Sequence, residues 1–592
     1  MCGIAGHAGP QGRWAPEPVL AALARRGPDA SGFETVDEGS WTSSVAHTRL
    51  AINDLSDSGD QPLYNEDDTV ALVFNGEIYN SPELRRRCEA RGHVFTSRSD
   101  GEVIVHLWEE EGPAAFRRLN GIFAVALQDR RDGTLVLARD PLGVKPLFWS
   151  AEHGSLWFAS ELEALKVAGA PLGGPDVVAL AQFLTFLWIP DPRTPFMGAH
   201  SLEPGTMLTW QGGRQQIRRY VDVVSESADQ PILTVAVAER EFRERFVEAT
   251  RRQLLSDVPV AIMASGGIDS SLLWWAAKDQ LAGAYTIDWS SESGSEGIQE
   301  DTEAVRVLAK HFGTATQYVT ALQVDAGRLL PSGDLLADPA VGLSSQIAEA
   351  ARSDGRKVLL SGHGGDELLG GYRRHLLGPI AARVRAGELG RLTADLLAKT
   401  PSGSVKLEYA YRLALSASKG DHLSSYMVLC SYSDASDRAA VLGVSSAEVD
   451  DEVVWQVHRS KFEQMPTDWS LLRRFRALDL SVYMPGLGLA YADRSGMEHS
   501  VEVRVPWLDL DLVRWALQLP DKALVRGRQG KHLSRSLAAE VLPGDIANRP
   551  KRGFGAPSRL MPKGAPSSSR GFRQARYLTS ATEMLQQWRA VA

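Results

Sequence analysis

The stretch VPVAIMASGGIDSSLLWWAAK (258–278) constrains the fold more than any other part of this chain. Its opening, VPVAIMAS, is an apolar run of strand length; SLLWWAAK is an apolar helix; the SGG between them is a tight turn. The same unit recurs downstream. AYTIDWS (284–290) reads as a second strand, VRVLAKHFG (305–313) as a helix closed by Gly313, and KVLLSGHGGDE (357–367) as a third strand running into a glycine-rich turn. Strands separated by crossover helices must pair in parallel. The expectation for this half is a doubly wound parallel-sheet α/β domain whose ligands gather beyond the strand C-termini. EFRERFVEATRRQLL (241–255) reads as a helix ahead of it, with Phe242, Phe246, Ala249 and Leu254 near helical spacing, and 376–480 as a helical extension.

The first 220 residues follow another pattern. LVFNGEIYN (72–80) and GIFAVALQDRRDGTLVLARD (121–140) are short β-branched and aromatic runs, and Asp132–Gly133 supplies hairpin chemistry. Several such units imply an α+β layered antiparallel-sheet domain. The polar SESADQP (225–231) reads as the linker. The expected organisation is a domain over 1–224, a second over 232–565, and a partly flexible tail over 566–592. A chain of 592 residues has room for both cores.

Composition narrows the function classes. The net charge of -9, with no basic block, disfavours a nucleic-acid groove. No run of about 18 apolar residues suggests a membrane span. MCGIAGHAGPQGRW lacks the cationic and apolar regions of a signal peptide, and three cysteines are too few for a disulfide framework, so a reducing cytoplasm is expected.

Cys2 follows the initiator Met. If Met1 is removed, the Cys2 thiol sits beside its own α-amine, which titrates near roughly 8 and can act as its base. MCGIAG, RRGPDASG (25–32), AHTRLAINDLS (46–56), FNGEIYN (74–80) and RSDGE (98–102) follow in that order. Together they closely resemble the class II glutamine amidotransferases, whose nucleophile is an N-terminal cysteine. The resemblance implies that Arg49 holds the glutamine α-carboxylate, that Glu77 and Asp100 hold its α-amine, and that Asn75 and the Gly76 N–H form an oxyanion hole. Arg25 stands where His is frequent before RGPD, and Gly101 where Thr is common; neither is a reacting group.

In the second half, Ser265, Gly266 and Gly267 can turn N–H groups toward phosphates at a helix N-terminus, with Ser270 and Gly362 beside them, and Asp269 offers Mg2+ a hard oxygen. SGGIDSS resembles the pyrophosphate-releasing ATP ligases; the Walker A spacing is absent. SGHGGDELLGGY (361–372), DRSGMEHSVEVRVPWLD (493–509), GKHLSR (530–535) and RPKRGFGAP (549–557) resemble the asparagine synthetase family over nearly the whole chain. The resemblance implies ATP and Mg2+ as cofactors, Asp269 and Asp366 as metal ligands, Lys531 as the stabiliser of charge during adenylation, and Lys551 as a further phosphate-facing residue. Arg504 is either functional or part of a structural ion pair.

Cys2 would release ammonia from glutamine, ATP would adenylate a carboxylate with loss of pyrophosphate, and ammonia would displace AMP. The expected partners are glutamine and a small carboxylate acceptor, aspartate or a specialised metabolite; a homodimer is compatible with this reading. The match departs at His363, where asparagine synthetases carry an acid and β-lactam synthetases a Tyr. It departs also at Gly496 and Glu498, and at LGLAYA, which lacks a common Lys. These positions lie near the acceptor in the family, so a changed acceptor is expected, with His363 near the acyl-adenylate. The alternative is a lactam- or peptide-forming cyclase, disfavoured by the intact glutaminase motifs.

Overall fold

A computed structural model describes residues 2–592 except 11–13, 40, 290–298, 322–327, 385, 399–404, 528 and 550–571. The N-terminal half is built on two six-stranded antiparallel sheets. The first runs in the order Ala199–Ser201, Phe148–Glu152, Ser155–Ala159, Gly3–Pro10, Trp41–Arg49, Ala30–Glu38. The second runs Arg214–Arg219, Thr206–Gln211, Thr134–Arg139, Gly121–Asp129, Val70–Ile78, Leu63–Tyr64. Strand alternation turns Ile4, Val45 and Phe158 of one sheet and Val73, Ala124, Leu137 and Leu208 of the other into one buried layer. Helices such as Pro16–Leu23 and Val103–Glu111 cover the outer faces. The Asp132–Gly133 hairpin forms as expected, with Gly133 at φ +73.

The C-terminal half holds a five-stranded, fully parallel sheet in the order Thr316–Thr320, Ala284–Asp288, Val260–Met263, Val358–Leu360, Glu502–Arg504. The chain winds outward in one direction from Val260–Met263, then returns to the other side at Val358–Leu360. The two strands that precede SGGIDS and SGHGGD are therefore neighbours at the switch of winding, where an open α/β sheet leaves a crevice. Helices from Arg373 to Leu478 form the expected extension, which passes into a π-helix, Asp479–Gly488. Among the described residues no helix is long and apolar enough to cross a membrane.

Residues 225–231, where the sequence places the linker, dock onto their neighbours. Glu226 pairs with Arg117 at 3.0 Å and Arg514 at 3.3 Å, and Ser227 O accepts from Arg473 at 3.0 Å. The tail is a helix over Phe572–Val591. Ala581, Met584, Leu585 and Trp588 are buried there, and Trp588 lies 5.2 Å from Phe196 of the N-terminal half. That spacing draws an apolar stripe along one face, which the polar residues just before it obscured.

The halves meet through buried charge. Strand Glu502–Arg504 turns Val503 into its own core, while Glu502 and Arg504, on the opposite face, meet the N-terminal half. Arg504 lies 3.2 Å from Glu77, and Lys145 lies 3.7 Å from Glu502. Arg26 bonds Asp493 through both guanidinium nitrogens, at 2.9 and 3.0 Å, and Glu161 at 3.2 Å. Burial works against the Glu502 charge, yet Arg504 and Lys145 outweigh it and hold that carboxyl well below the usual range. Breaking such a pair strands a buried charge. Glu502→Gln should therefore lower unfolding stability by about 3–5 kcal/mol. Because the folded value is depressed, this contribution is present above the unfolded carboxylate range near roughly 4.3, begins to be lost as pH falls below it, and is gone only below the folded value. Denaturant unfolding of both proteins at pH 7 and at pH 3 checks both statements, the difference between them shrinking at pH 3; a change under about 1 kcal/mol at pH 7 would reduce the network to ordinary surface pairs.

Candidate active sites

Cys2 lies at the start of the central strand of the first sheet and is buried. Its backbone nitrogen donates to Asn75 Oδ1 at 3.0 Å, its carbonyl accepts from Arg26 Nε at 3.0 Å, and the Leu50 amide faces its sulfur. Burial pushes the Cys2 thiol up, so at rest it keeps its proton. Since Asn75 Oδ1 is occupied by Cys2, its Nδ2 is the outward donor; Nδ2 is buried and meets no hydrogen-bond acceptor among the described residues. Gly76 must be glycine: a Cβ there would meet Ile122 O at 2.0 Å. Asn75 thus holds the Cys2 backbone with its oxygen and keeps a buried amide donor beside it, with Gly76 next in the strand.

The three expected glutamine-binding residues gather around the same point. Arg49 is buried, with Nη1 on Ser56 O at 3.0 Å and Asp60 at 2.6 Å, and Nη2 on the Asp54 carbonyl. Loop 53–60 therefore engages the fork that the sequence assigned to substrate. Glu77 accepts from Asn53 on one oxygen and faces Arg504 on the other. Asp100 accepts the Ile78 N–H at 2.6 Å. Burial, then repulsion from Asp100, raises Glu77 well above the usual range, and burial pushes Asp100 up to about 6. Two crowded carboxyls of this kind favour a cation between them.

A second site opens at the switch of the parallel sheet, around a cavity of about 260 Å³. Ser265, Gly266, Gly267, Asp269, Ser270, Gly362, His363, Asp366 and Lys531 all line it. Ser265 N donates to Ser270 Oγ at 3.2 Å, which folds the loop onto the helix Ile268–Ala277. Gly266, at φ +67, presents its carbonyl to Arg549. Lys531 bridges the two carboxylates, bonding Asp269 and lying 2.6 Å from Asp366 Oδ1. The neighbouring glycines permit this crowding: a Cβ at Gly371 would fall 1.9 Å from Asp366, and one at Gly365 would fall 2.8 Å from Asp269. Asp269 Oδ1 is buried and meets no hydrogen-bond donor among the described residues, which suits a divalent cation. Lys551 lies outside the described residues; Arg549, two positions earlier, lines the cavity instead.

His363 sits over this cavity with hydroxyls on both ring nitrogens. Nδ1 shares a hydrogen bond with Ser361 Oγ at 2.6 Å, and Nε2 shares one with Tyr491. Tyr491 lies in LGLAYA, the segment that lacks the common Lys of the family. The apolar side chains of Met263, Ile287, Trp289, Ile347 and Met484 complete the wall. Gly496 and Glu498 do not reach it. A Cβ at Gly496 would meet Val501 O at 2.5 Å, and Glu498 pairs with Arg328 and Ser345 at 2.7 and 2.9 Å. These two departures therefore concern packing of the helix end, whereas Tyr491 concerns the cavity.

Sequence reading missed several members of both sites. Glu367, beside Asp366, is buried and pushed up to about 7 by burial and by that neighbour; it accepts from Tyr372 at 2.6 Å. Its signal was the GGDE run. Arg26 touches Cys2 itself, and only its place in RGPD hinted at a role. Arg504, which the sequence left as either functional or an ion-pair residue, is a fully buried ion-pair residue; what was missed is that its backbone carbonyl accepts the Ser361 N–H at 2.9 Å.

The sequence profile of the glutamine amidotransferase domain family matches residues 1–221, and that of asparagine synthase matches residues 241–583. The chain is 29% identical over 568 residues to asparagine synthetase [glutamine-hydrolyzing] 1 of Bacillus subtilis, covering 91% of this chain and 83% of that one. With asparagine synthetase [glutamine-hydrolyzing] 3 of the same organism it shares 29% identity over 589 residues, 93% of this chain and 86% of that one. With asparagine synthetase [glutamine-hydrolyzing] 2 of Arabidopsis thaliana it shares 35% over 364 residues, 59% and 56% of the two chains. An amidotransferase half and a synthase half on one chain, aligned along nearly its whole length, mean that this protein belongs to the asparagine synthetase family of glutamine-hydrolysing, ATP-dependent carbon–nitrogen ligases.

Proposed function

We propose that the chain amidates a carboxylate other than simple aspartate, with ammonia that its own Cys2 releases from glutamine. The observation that carries the acceptor assignment is the His363–Tyr491 pair. An imidazole stands where asparagine synthetases carry an acid, bonded to a phenol from the LGLAYA segment that lacks their common Lys, and Met263, Ile287, Trp289, Ile347 and Met484 give the cavity an apolar stretch of wall. A carboxylate at 363 would attract an acceptor ammonium; an imidazole does so less, which suits an acceptor without a free α-amine or with a masked one.

In the first site, Met1 removal leaves the Cys2 α-amine as base. The thiol attacks the glutamine amide carbon, Asn75 Nδ2 and the Gly76 N–H stabilise the oxyanion, and a thioester forms as ammonia leaves. Water then releases glutamate. Arg49 offers charge to the glutamine α-carboxylate, and Glu77 with Asp100 accepts its α-ammonium.

In the second site, the loop Ser265–Gly267 and the helix behind it accept the ATP phosphates, with Ser270, Gly362 and Arg549 around them. Asp269 and Asp366 would hold Mg2+, which would neutralise the charge of the pyrophosphate leaving group. The acceptor carboxylate attacks the α-phosphorus, with Lys531 beside the transferring group. Ammonia attacks the acyl carbon, the C–O bond to AMP breaks, and His363 accepts the surplus proton, oriented by Ser361 and Tyr491. The intact Cys2–Asn75 arrangement supports ammonia over an internal amine as nucleophile, so the cyclase reading has less behind it.

Two outcomes test this reading. Cys2→Ala should abolish glutamate formation from glutamine yet keep pyrophosphate release with ammonium as donor, and Asn75→Ala should lower the glutaminase rate by about 100- to 1,000-fold. Glutamine hydrolysis surviving in Cys2→Ala would overturn the nucleophile assignment. For the acceptor, a pyrophosphate-release screen of carboxylates with glutamine and MgATP should rank aspartate low. The pair His363→Glu with Tyr491→Lys should raise aspartate turnover while lowering turnover of the preferred acid. Aspartate emerging as the best acceptor of the wild type would sink the assignment.

A further inference from the structure

Outside both sites, the N-terminal half gathers two imidazoles and two carboxylates at one point. Glu66 comes from the turn after strand Leu63–Tyr64, and His93 from the loop after helix Ser81–Glu89. His106 and Glu109 lie one turn apart on helix Val103–Glu111. One ligand-type atom from each lies within 4.8 Å of all the others. Three separate segments of chain thus converge on one point.

His106 makes the cluster more than a chance meeting of surface groups. It is fully buried, and neither of its ring nitrogens has a hydrogen-bond partner at ordinary distance and angle among the described residues, although the Glu102 carboxylate still feels Nε2. Phe95 packs on it at 4.3 Å and the His93 ring at 4.9 Å, which holds the imidazole in the cluster. Nδ1 faces Glu66 Oε2 at 3.4 Å and Nε2 faces Glu102 Oε1 at 3.8 Å, both beyond ordinary hydrogen-bond reach. His93 repeats the arrangement. Its Nδ1 lies 3.0 Å from Glu66 and 3.9 Å from Glu109, and its Nε2 lies 3.4 Å from Glu110. Each ring therefore turns one nitrogen toward Glu66 and backs the other with a further carboxylate. Metal-ligating histidines are oriented in this way.

We propose that Glu66, His93, His106 and Glu109 form a structural site for a divalent transition metal of the zinc class, with Glu102 and Glu110 orienting the two imidazoles. Mixed imidazole and carboxylate donors select zinc, cobalt or nickel over magnesium and calcium. A tetrahedral site with bonds near 2.0–2.1 Å sets its donor atoms about 3.4 Å apart. Closing from the present spread asks about 1 Å of the Glu66 and Glu109 side chains, which are exposed; Glu66 Oε1 keeps the Val94 N–H at 2.8 Å, so its Oε2, 3.4 Å from His106, is the oxygen that can move. Four protein donors leave no open position for substrate, so the site staples rather than reacts. What it staples is the segment leading to Asp100. Glu102 also accepts the Thr96 and Ser97 N–H groups, at 2.6 and 2.8 Å, so ordering His93 and His106 orders the chain between them. The site itself stands independently of the acceptor assignment.

The test uses the full chain, stripped with chelator and titrated with Co2+ in excess MgCl2, which occupies oxygen-only sites. Wild type should show the visible absorption of tetrahedral cobalt at one equivalent per chain, displaced by one equivalent of Zn2+. His93→Ala and Glu66→Gln, at partly or fully exposed positions where folding is least at risk, should each weaken Co2+ binding by about 100-fold or more. His106→Gln should do the same. Absence of the tetrahedral band in wild type, or equal binding by His93→Ala, would overturn the proposal.

Discussion

The buried guanidinium of Arg504 is the contact on which both sites depend. It has no route to water, so its charge is met from within the protein, although Nη2 faces Glu77 at 3.2 Å without a hydrogen bond of good geometry. Glu502 and Glu77 supply charge, and the carbonyls of Gln253 and Leu255 supply acceptors at 2.9 and 2.6 Å. Glu77 belongs to the glutamine side of the molecule. The Arg504 main chain belongs to the other side, where it holds Ser361 and, through that hydroxyl, His363. One residue thus fixes a carboxyl in the first site with its side chain and the general-base candidate of the second with its backbone. Arg26 and Lys145 complete the junction from the opposite direction, and Arg26 touches the Cys2 carbonyl while it binds Asp493. The halves cannot part without exposing these charges singly, so the geometry of each site is conditional on the other.

How much of this could be read from the chain depends on the range of the interaction. The parallel sheet and the glycine turn after Met263 followed from local pattern, because strand, turn and helix lie within one short run, whereas the convergence of Asp269, Asp366 and Lys531 was implied only by the family resemblance, since Lys531 caps a helix far from either strand end. The junction did not follow. Arg26 and Asp493 are 467 positions apart, and nothing near either names the other. DRSGM was legible as a motif, but nothing in it names the buried arginine that its Asp493 binds. Likewise Arg49 was assigned to substrate on its position in AHTRL, whereas loop 53–60 wraps its guanidinium with backbone carbonyls that carry no sequence signature.

The departures from the family pattern sort themselves by packing. Glu498 and Gly496 are satisfied locally, and Glu498 has its own arginine. His363 and Tyr491 face a common cavity and bond each other, 128 positions apart, so they are one change rather than two. Both line the cavity beside Trp289 and Met484, while Lys531 and its two carboxylates hold the other side of it. The C-terminal helix shows the reverse error. A polar, serine-rich lead-in suggested a loose tail, yet four apolar residues at helical spacing bury themselves beside Phe196 and tie the end of the chain back to the N-terminal half.

The central claim is that ammonia passes between two sites held together by this buried junction, and isotope transfer tests it most directly. Glutamine labelled with 15N at the side-chain amide would be supplied with MgATP, a carboxylate that the chain adenylates, and a large excess of unlabelled ammonium below its own saturation. The account predicts a product amide that is predominantly 15N, since ammonia released at Cys2 reaches the acyl-adenylate without mixing with solvent. A product whose label falls to the ratio of labelled to unlabelled ammonium in the bulk would contradict it.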